Sequence, residues 1–122
     1  MKRKPIYQTL AGLLLGLMLA ACSSGSSPQA TGLKVQALDT LKYNPTTLTA
    51  KVGQSVTVTL ENKGFLDHTF VSDELNAKIE VVKAGATGTV TFTPTAAGTY
   101  TYYCNVPGHK DGGMVGTLTV TP

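Results

Sequence analysis

From Leu33 onward the chain alternates apolar and polar residues at every second position, with threonine in most of the polar slots. Val56, Val58 and Leu60 alternate with Thr57, Thr59 and Glu61, and Val90 and Phe92 with Thr89, Thr91 and Thr93. Tyr100 and Tyr102 alternate with Thr99, Thr101 and Tyr103, and Leu118 and Val120 with Thr117, Thr119 and Thr121. A period of two puts one residue type on each face of a strand, and β-branched threonine suits a pleated, half-buried surface. Leu33–Leu38 and Thr47–Lys51 are further strand candidates. Asn44-Pro45, Val52-Gly53, Asn62-Lys63-Gly64, Ala84-Gly85, Ala97-Gly98 and Pro107-Gly108 punctuate the runs as turns. Asp73–Lys78 fits one helical turn, and Ile79–Val82 a short strand. The expectation for residues 33–122 is an all-β Greek-key sandwich or barrel of about seven or eight strands.

The first residues have a different character. Lys2, Arg3 and Lys4 precede an uncharged apolar run, Leu10 to Ala21, which is shorter than the roughly 20 residues of a spanning helix. A basic start, a short apolar core and small residues at its end read as a signal peptide over residues 1–21. Leu19-Ala20-Ala21-Cys22 resembles the lipobox of bacterial lipoproteins. That resemblance implies cleavage before Cys22, lipidation of Cys22, and an exported protein anchored on the periplasmic or cell-surface side of a bacterial membrane. Residues 22–32, rich in Ser and Gly, then form a flexible tether. Three of the ten Lys and Arg residues lie in this leader, and the other seven balance seven Asp and Glu. A neutral domain offers no basic stripe for phosphates, so nucleic acid is not an expected partner. A monomer is expected.

With Cys22 lipidated, Cys104 is the one thiol left to the domain. It falls in the series Cys104-x4-His109-x4-Met114, and His68, the other histidine, lies 36 residues upstream of Cys104. A hairpin loop between the strands ending at Tyr103 and starting after Met114 places three of these groups at one end of the sandwich. His68 opens another strand after the loop at Lys63–Asp67. Two imidazoles, a thiolate and a thioether suit copper in a trigonal His₂Cys plane with a weak axial Met. Structural zinc prefers closed Cys/His tetrahedra, and haem attachment wants Cys-x-x-Cys-His, which is absent. A Cys–His hydrolase needs an orienting third group and an oxyanion hole, neither of which the sequence marks. Each residue alone is ordinary, since a buried Cys or Met usually just fills space. Their joint occurrence is what points to a metal.

The segments Gly98–Cys104, Pro107-Gly108-His109 and Gly113–Leu118, with YNPTTLTAKVGQSVTV before them, resemble the cupredoxin family of small blue copper proteins. The resemblance implies one type 1 copper ion held by His68, Cys104, His109 and Met114. It also implies a one-electron carrier between membrane-associated redox protein partners, and no enzyme activity. Thr69 stands where relatives often carry Asn, so its hydroxyl is expected to tie two loops. Asn105 stands where a hydroxyl residue is common, and its amide is expected to brace the same loops. Phe65, Leu66, Val106 and Pro107 flank the ligands as an apolar docking patch, with one edge of His109 at the surface. Only Cys104 lies in the ligand loop, which excludes a dinuclear purple copper site. Both histidines are used, which leaves none for a catalytic copper. The alternative is an extracytoplasmic copper-binding protein for storage or delivery, distinguished by lack of colour.

Overall fold

The computed structural model describes residues 29–122, so the signal peptide, Cys22 and most of the tether lie outside the described residues. Nine strands follow: β1 (Thr31–Leu38), β2 (Lys42–Asn44), β3 (Thr47–Lys51), β4 (Val56–Asn62), β5 (His68–Ser72), β6 (Ala77–Val82), β7 (Thr87–Phe92), β8 (Gly98–Tyr103) and β9 (Val115–Thr121). They form two sheets, one ordered β2-β1-β4-β7 and the other β3-β9-β8-β5-β6. The pairs β1/β4 and β3/β9 are parallel and the rest antiparallel. The fold is the expected β-sandwich with one strand more than expected. The addition is β2, only three residues long and with a single buried side chain, Tyr43. Asp73–Asn76 closes a turn through Asn76 N–H to Asp73 C=O at 3.1 Å, with Asn76 at φ 48°, in place of a helical turn. β1 also starts earlier than expected. Thr31 and Gly32, assigned to the tether, pair with Val56 and Thr57.

The alternating residues face inward as their period requires. Val35, Val56, Val58 and Leu60 of one sheet are fully buried, as are Leu118, Tyr102 and Phe70 of the other to within 1%. Burying each such side chain stabilises the fold by about 1.5–3 kcal/mol. Tyr102 is the centre of this core. Its ring stacks on Phe70 at 4.6 Å and meets the edge of Tyr43 at 5.1 Å. Gly116 on β9 lies beneath the same ring, and a Cβ there would collide with it. Burial pushes the Tyr102 hydroxyl up to about 12.

β5 does not alternate, because all five of its residues are buried. Its partner β6 carries a bulge. His68 pairs with Val82 and Phe70 with Ile79, so three steps on β6 match two on β5. The extra residue returns Val82 to the core and leaves Val81 about half exposed, as a bulge does when it re-aims side chains. β1 and β4 end, and β5 begins, at one pole of the sandwich, where β8 also hands over to the loop leading into β9.

Candidate metal centre

Cys104 follows the last residue of β8 and Met114 precedes the first of β9. The backbone joins them across the loop, with Cys104 N–H donating to Met114 C=O at 3.1 Å. Inside this closure, His109 N–H donates to Val106 C=O at 3.0 Å. Pro107 and Gly108 occupy the two corners of that turn, with Gly108 at φ 82°. Proline followed by a left-handed glycine is what a type II turn requires. Met114 N–H donates to His109 C=O at 3.0 Å, and Gly113 adopts φ 96° just before it. The Pro-Gly pair and Gly113 therefore fold the loop back so that Cys104, His109 and Met114 share one end.

His68 joins them from β5. The donor atoms of His68, Cys104 and His109 all lie within 4.8 Å of one another. Cys104 Sγ is 3.4 Å from His109 Nδ1, and the two imidazole rings are 5.1 Å apart between centroids. His68, Cys104 and Met114 are wholly buried, whereas His109 is half-buried. Burial lowers the tendency of His68 to protonate, with the neighbouring His109 acting in the same direction and Asp39 against it. Its Nδ1 is buried with no hydrogen-bond partner among the described residues. A buried ring nitrogen rarely goes unpaired. An ion shared with Cys104 and His109 accounts for it, and a soft N/S donor set of this kind suits copper.

The loops around these donors are pinned by polar contacts. Thr69 N–H donates to Cys104 Sγ at 3.3 Å, which fixes the sulfur against β5. Thr69 Oγ1 donates to Asn105 Oδ1 at 2.8 Å and accepts from Asn105 N–H at 2.8 Å. One hydroxyl thus ties β5 to the ligand loop, and Asn105 supplies both halves of the tie. Asn62, also buried, donates from Nδ2 to Leu66 C=O at 2.7 Å and to Val82 C=O at 2.9 Å. Its Oδ1 accepts from Gly64 N–H at 2.9 Å, fixing the loop before His68. Tyr43, on the short β2, donates its hydroxyl to Thr69 C=O at 2.6 Å and supports the strand from below.

The apolar rim divides. Phe65 is 91% exposed and Leu66 45% exposed, and Pro107 is exposed as well. Val106 is partly buried and packs against the core cluster.

Two sheets closed over an aromatic core, with two imidazoles and one buried thiol converging at one pole, define a small copper protein with a single type 1 ion. The comparisons with known proteins agree. The model of the cupredoxin-like domain family matches residues 11–120. The chain belongs to the cupredoxin family. It is 30% identical over 107 residues to the copper-resistant cuproprotein CopI of Rubrivivax gelatinosus, covering 72% of this chain and 65% of that one. Over 42 residues it is 57% identical to auracyanin-B of Chloroflexus aurantiacus, covering 34% of this chain and 18% of that one. The chain therefore spans less than two thirds of the length of either relative. The structure of dithionite-reduced auracyanin from the photosynthetic bacterium Roseiflexus castenholzii superposes with a TM-score of 0.70 at 27% identity. That match covers 76% of this chain and 98% of that one.

Proposed function

We propose that the protein is a one-electron carrier whose copper is held by His68, Cys104, His109 and Met114. The observation that carries this reading is the convergence of three buried donors within 4.8 Å, with His109 the residue of the three nearest the surface. When bound, copper supplies a reversible one-electron change of charge. The chain's own residues do the rest. Cys104 offers a soft sulfur that accepts from Thr69 N–H, and the imidazoles offer lone pairs, His68 from β5 and His109 from the loop between β8 and β9. Met114 brings a weak thioether donor into the same end. Ties through Thr69, Asn105 and Asn62 keep the donors from rearranging between oxidation states. The half-buried His109 gives electrons a short way out. No third histidine exists to build a catalytic copper. Export and lipid anchoring through Cys22 belong to this reading and are supported by the basic, apolar and Leu19–Cys22 segments of the leader.

The copper-loaded protein is expected to be intensely blue and to cycle reversibly by one electron in voltammetry. A second reading, copper storage or delivery, is favoured by the similarity to a relative named for copper resistance. It requires a colourless copper(I) protein that surrenders its ion to a competing chelator, and that result would replace the carrier assignment.

Phe65, Leu66 and Pro107 form the apolar surface for a redox partner. Phe65→Asp places a charge there on a side chain that contributes little to folding. Stability should stay within about 0.5 kcal/mol, and the blue spectrum should persist. Electron exchange with an apolar-faced partner should slow by about tenfold, as loss of an interface anchor worth about 1.4 kcal/mol would do. Stopped-flow mixing measures this, and an unchanged rate places the contact elsewhere.

A further inference from the structure

Asp39 lies just beyond β1, and nothing about its place in the sequence marks it. Its carboxylate nevertheless gathers three donors. Oδ2 accepts from Phe65 N–H at 2.8 Å, Oδ1 accepts from Leu66 N–H at 3.0 Å, and Oδ1 lies 3.4 Å from His68 Nε2. Gly64 makes room for it, since a Cβ at that position would overlap the carboxylate. The amide of Phe65, then that of Leu66, holds the Asp39 carboxyl below the usual range, so it is an anion at neutral pH. His68 has no exposed surface, and Asp39 is the partner of its Nε2, while Nδ1 has no partner among the described residues.

We propose that Asp39 is the positioning residue for His68: its carboxylate accepts the Nε2–H, leaves Nδ1 as the bare nitrogen for the metal, and favours the higher oxidation state of a bound copper ion. The contact is longer than the commonest N–H···O distance, so its role is to orient the ring and set its tautomer more than to add cohesion. A metal-ligating imidazole whose other nitrogen faces a carboxylate becomes more basic, and this favours copper(II) over copper(I). Asn62 holds the 63–67 loop through separate hydrogen bonds, so loss of the Asp39 charge leaves the loop its other anchor.

The metal part of this inference rests on the proposed copper ligation, and the tautomer part does not. Long-range ¹H–¹⁵N spectra of the full-length, metal-free chain read the tautomer directly. In the wild type the His68 proton sits on Nε2, downfield and protected from solvent exchange. In Asp39→Ala it moves upfield and exchanges about tenfold faster or more. In copper-loaded Asp39→Asn, which keeps the shape and loses the charge, the ratio of copper(I) to copper(II) affinity rises about tenfold. That is an upward shift of about 59 mV in reduction potential for one electron. A wild-type His68 protonated on Nδ1 overturns the proposal. So does an Asp39→Ala proton with wild-type shift and exchange, or a blue, folded Asp39→Asn protein at the wild-type potential. A wild type that binds no copper yet shows the Nε2 proton and its loss in Asp39→Ala overturns the copper reading and leaves the tautomer assignment standing.

Discussion

Cys104→Ser is expected to abolish the blue colour outright and to leave a folded protein. The thiol is fully buried, lies 3.4 Å from His109 Nδ1 and receives the Thr69 amide at 3.3 Å. Intense visible absorption in such a centre comes from charge transfer between a thiolate and copper(II), and an alcohol has no comparable donor orbital. Serine also lacks the softness that retains copper(I). Affinity should fall by more than the roughly 10–100-fold typical of losing an outer hydrogen-bond partner. The fold has little reason to fail, because the Thr69 N–H still finds an oxygen to bond. A destabilisation of about 1–3 kcal/mol covers burial of an imperfectly paired hydroxyl. Absorption spectroscopy with copper titration measures the first effect, and thermal melting of the metal-free protein the second. A variant that stays intensely blue removes Cys104 from the ligand set.

Tyr102→Ala should have the largest effect on stability. The side chain has no exposed surface, stacks on Phe70, meets Tyr43 edge-on and roofs Gly116. Removing it opens a cavity between the sheets that neighbouring strands cannot close. Losses for buried aromatic-to-alanine changes run about 3–5 kcal/mol. In a domain of this size that corresponds to a fall in Tm of about 15 °C or more. Tyr102→Phe separates ring from hydroxyl. Among the described residues the hydroxyl reaches only Pro45 C=O, at 3.4 Å, so the phenylalanine variant should stay within about 1 kcal/mol of wild type. Urea unfolding followed by circular dichroism distinguishes the two. Equal losses in both variants would place the contribution in the hydroxyl, against the packing account.

Most of the sandwich was legible because the threonine alternation repeats wherever one strand face is buried and the other solvated. β3 falls on the run expected for it, Thr47–Lys51. β2 was not legible: three residues are too few for a period, and Asn44-Pro45 reads as a turn. The gathering of His68, Cys104 and His109 was legible from residue type and spacing. Thr69 and Asn105 were anticipated as a tie between loops, and their paired 2.8 Å contacts have that form. Asp39 was not legible, since two of its three donors are backbone amides of a loop that exists only once the chain has folded.

The direction of β1 and β9 decides which way the protein faces. β1 runs eight residues from Thr31 to the pole where Asp39 meets His68, and β9 runs from Val115, just after Met114, back to Thr121. Both chain ends of the described domain therefore lie at the pole opposite the metal, about 25 Å away at the rise of a β-strand. Anything joined to either end, whether a lipid-bearing leader, an affinity tag or an electrode linker, holds the domain by its base. His109 and the exposed Phe65 then lie at the end of the domain opposite the attachment. On the proposed reading, a copy held by either end would keep the metal-bearing end about one strand length from its attachment, clear of steric contact with it.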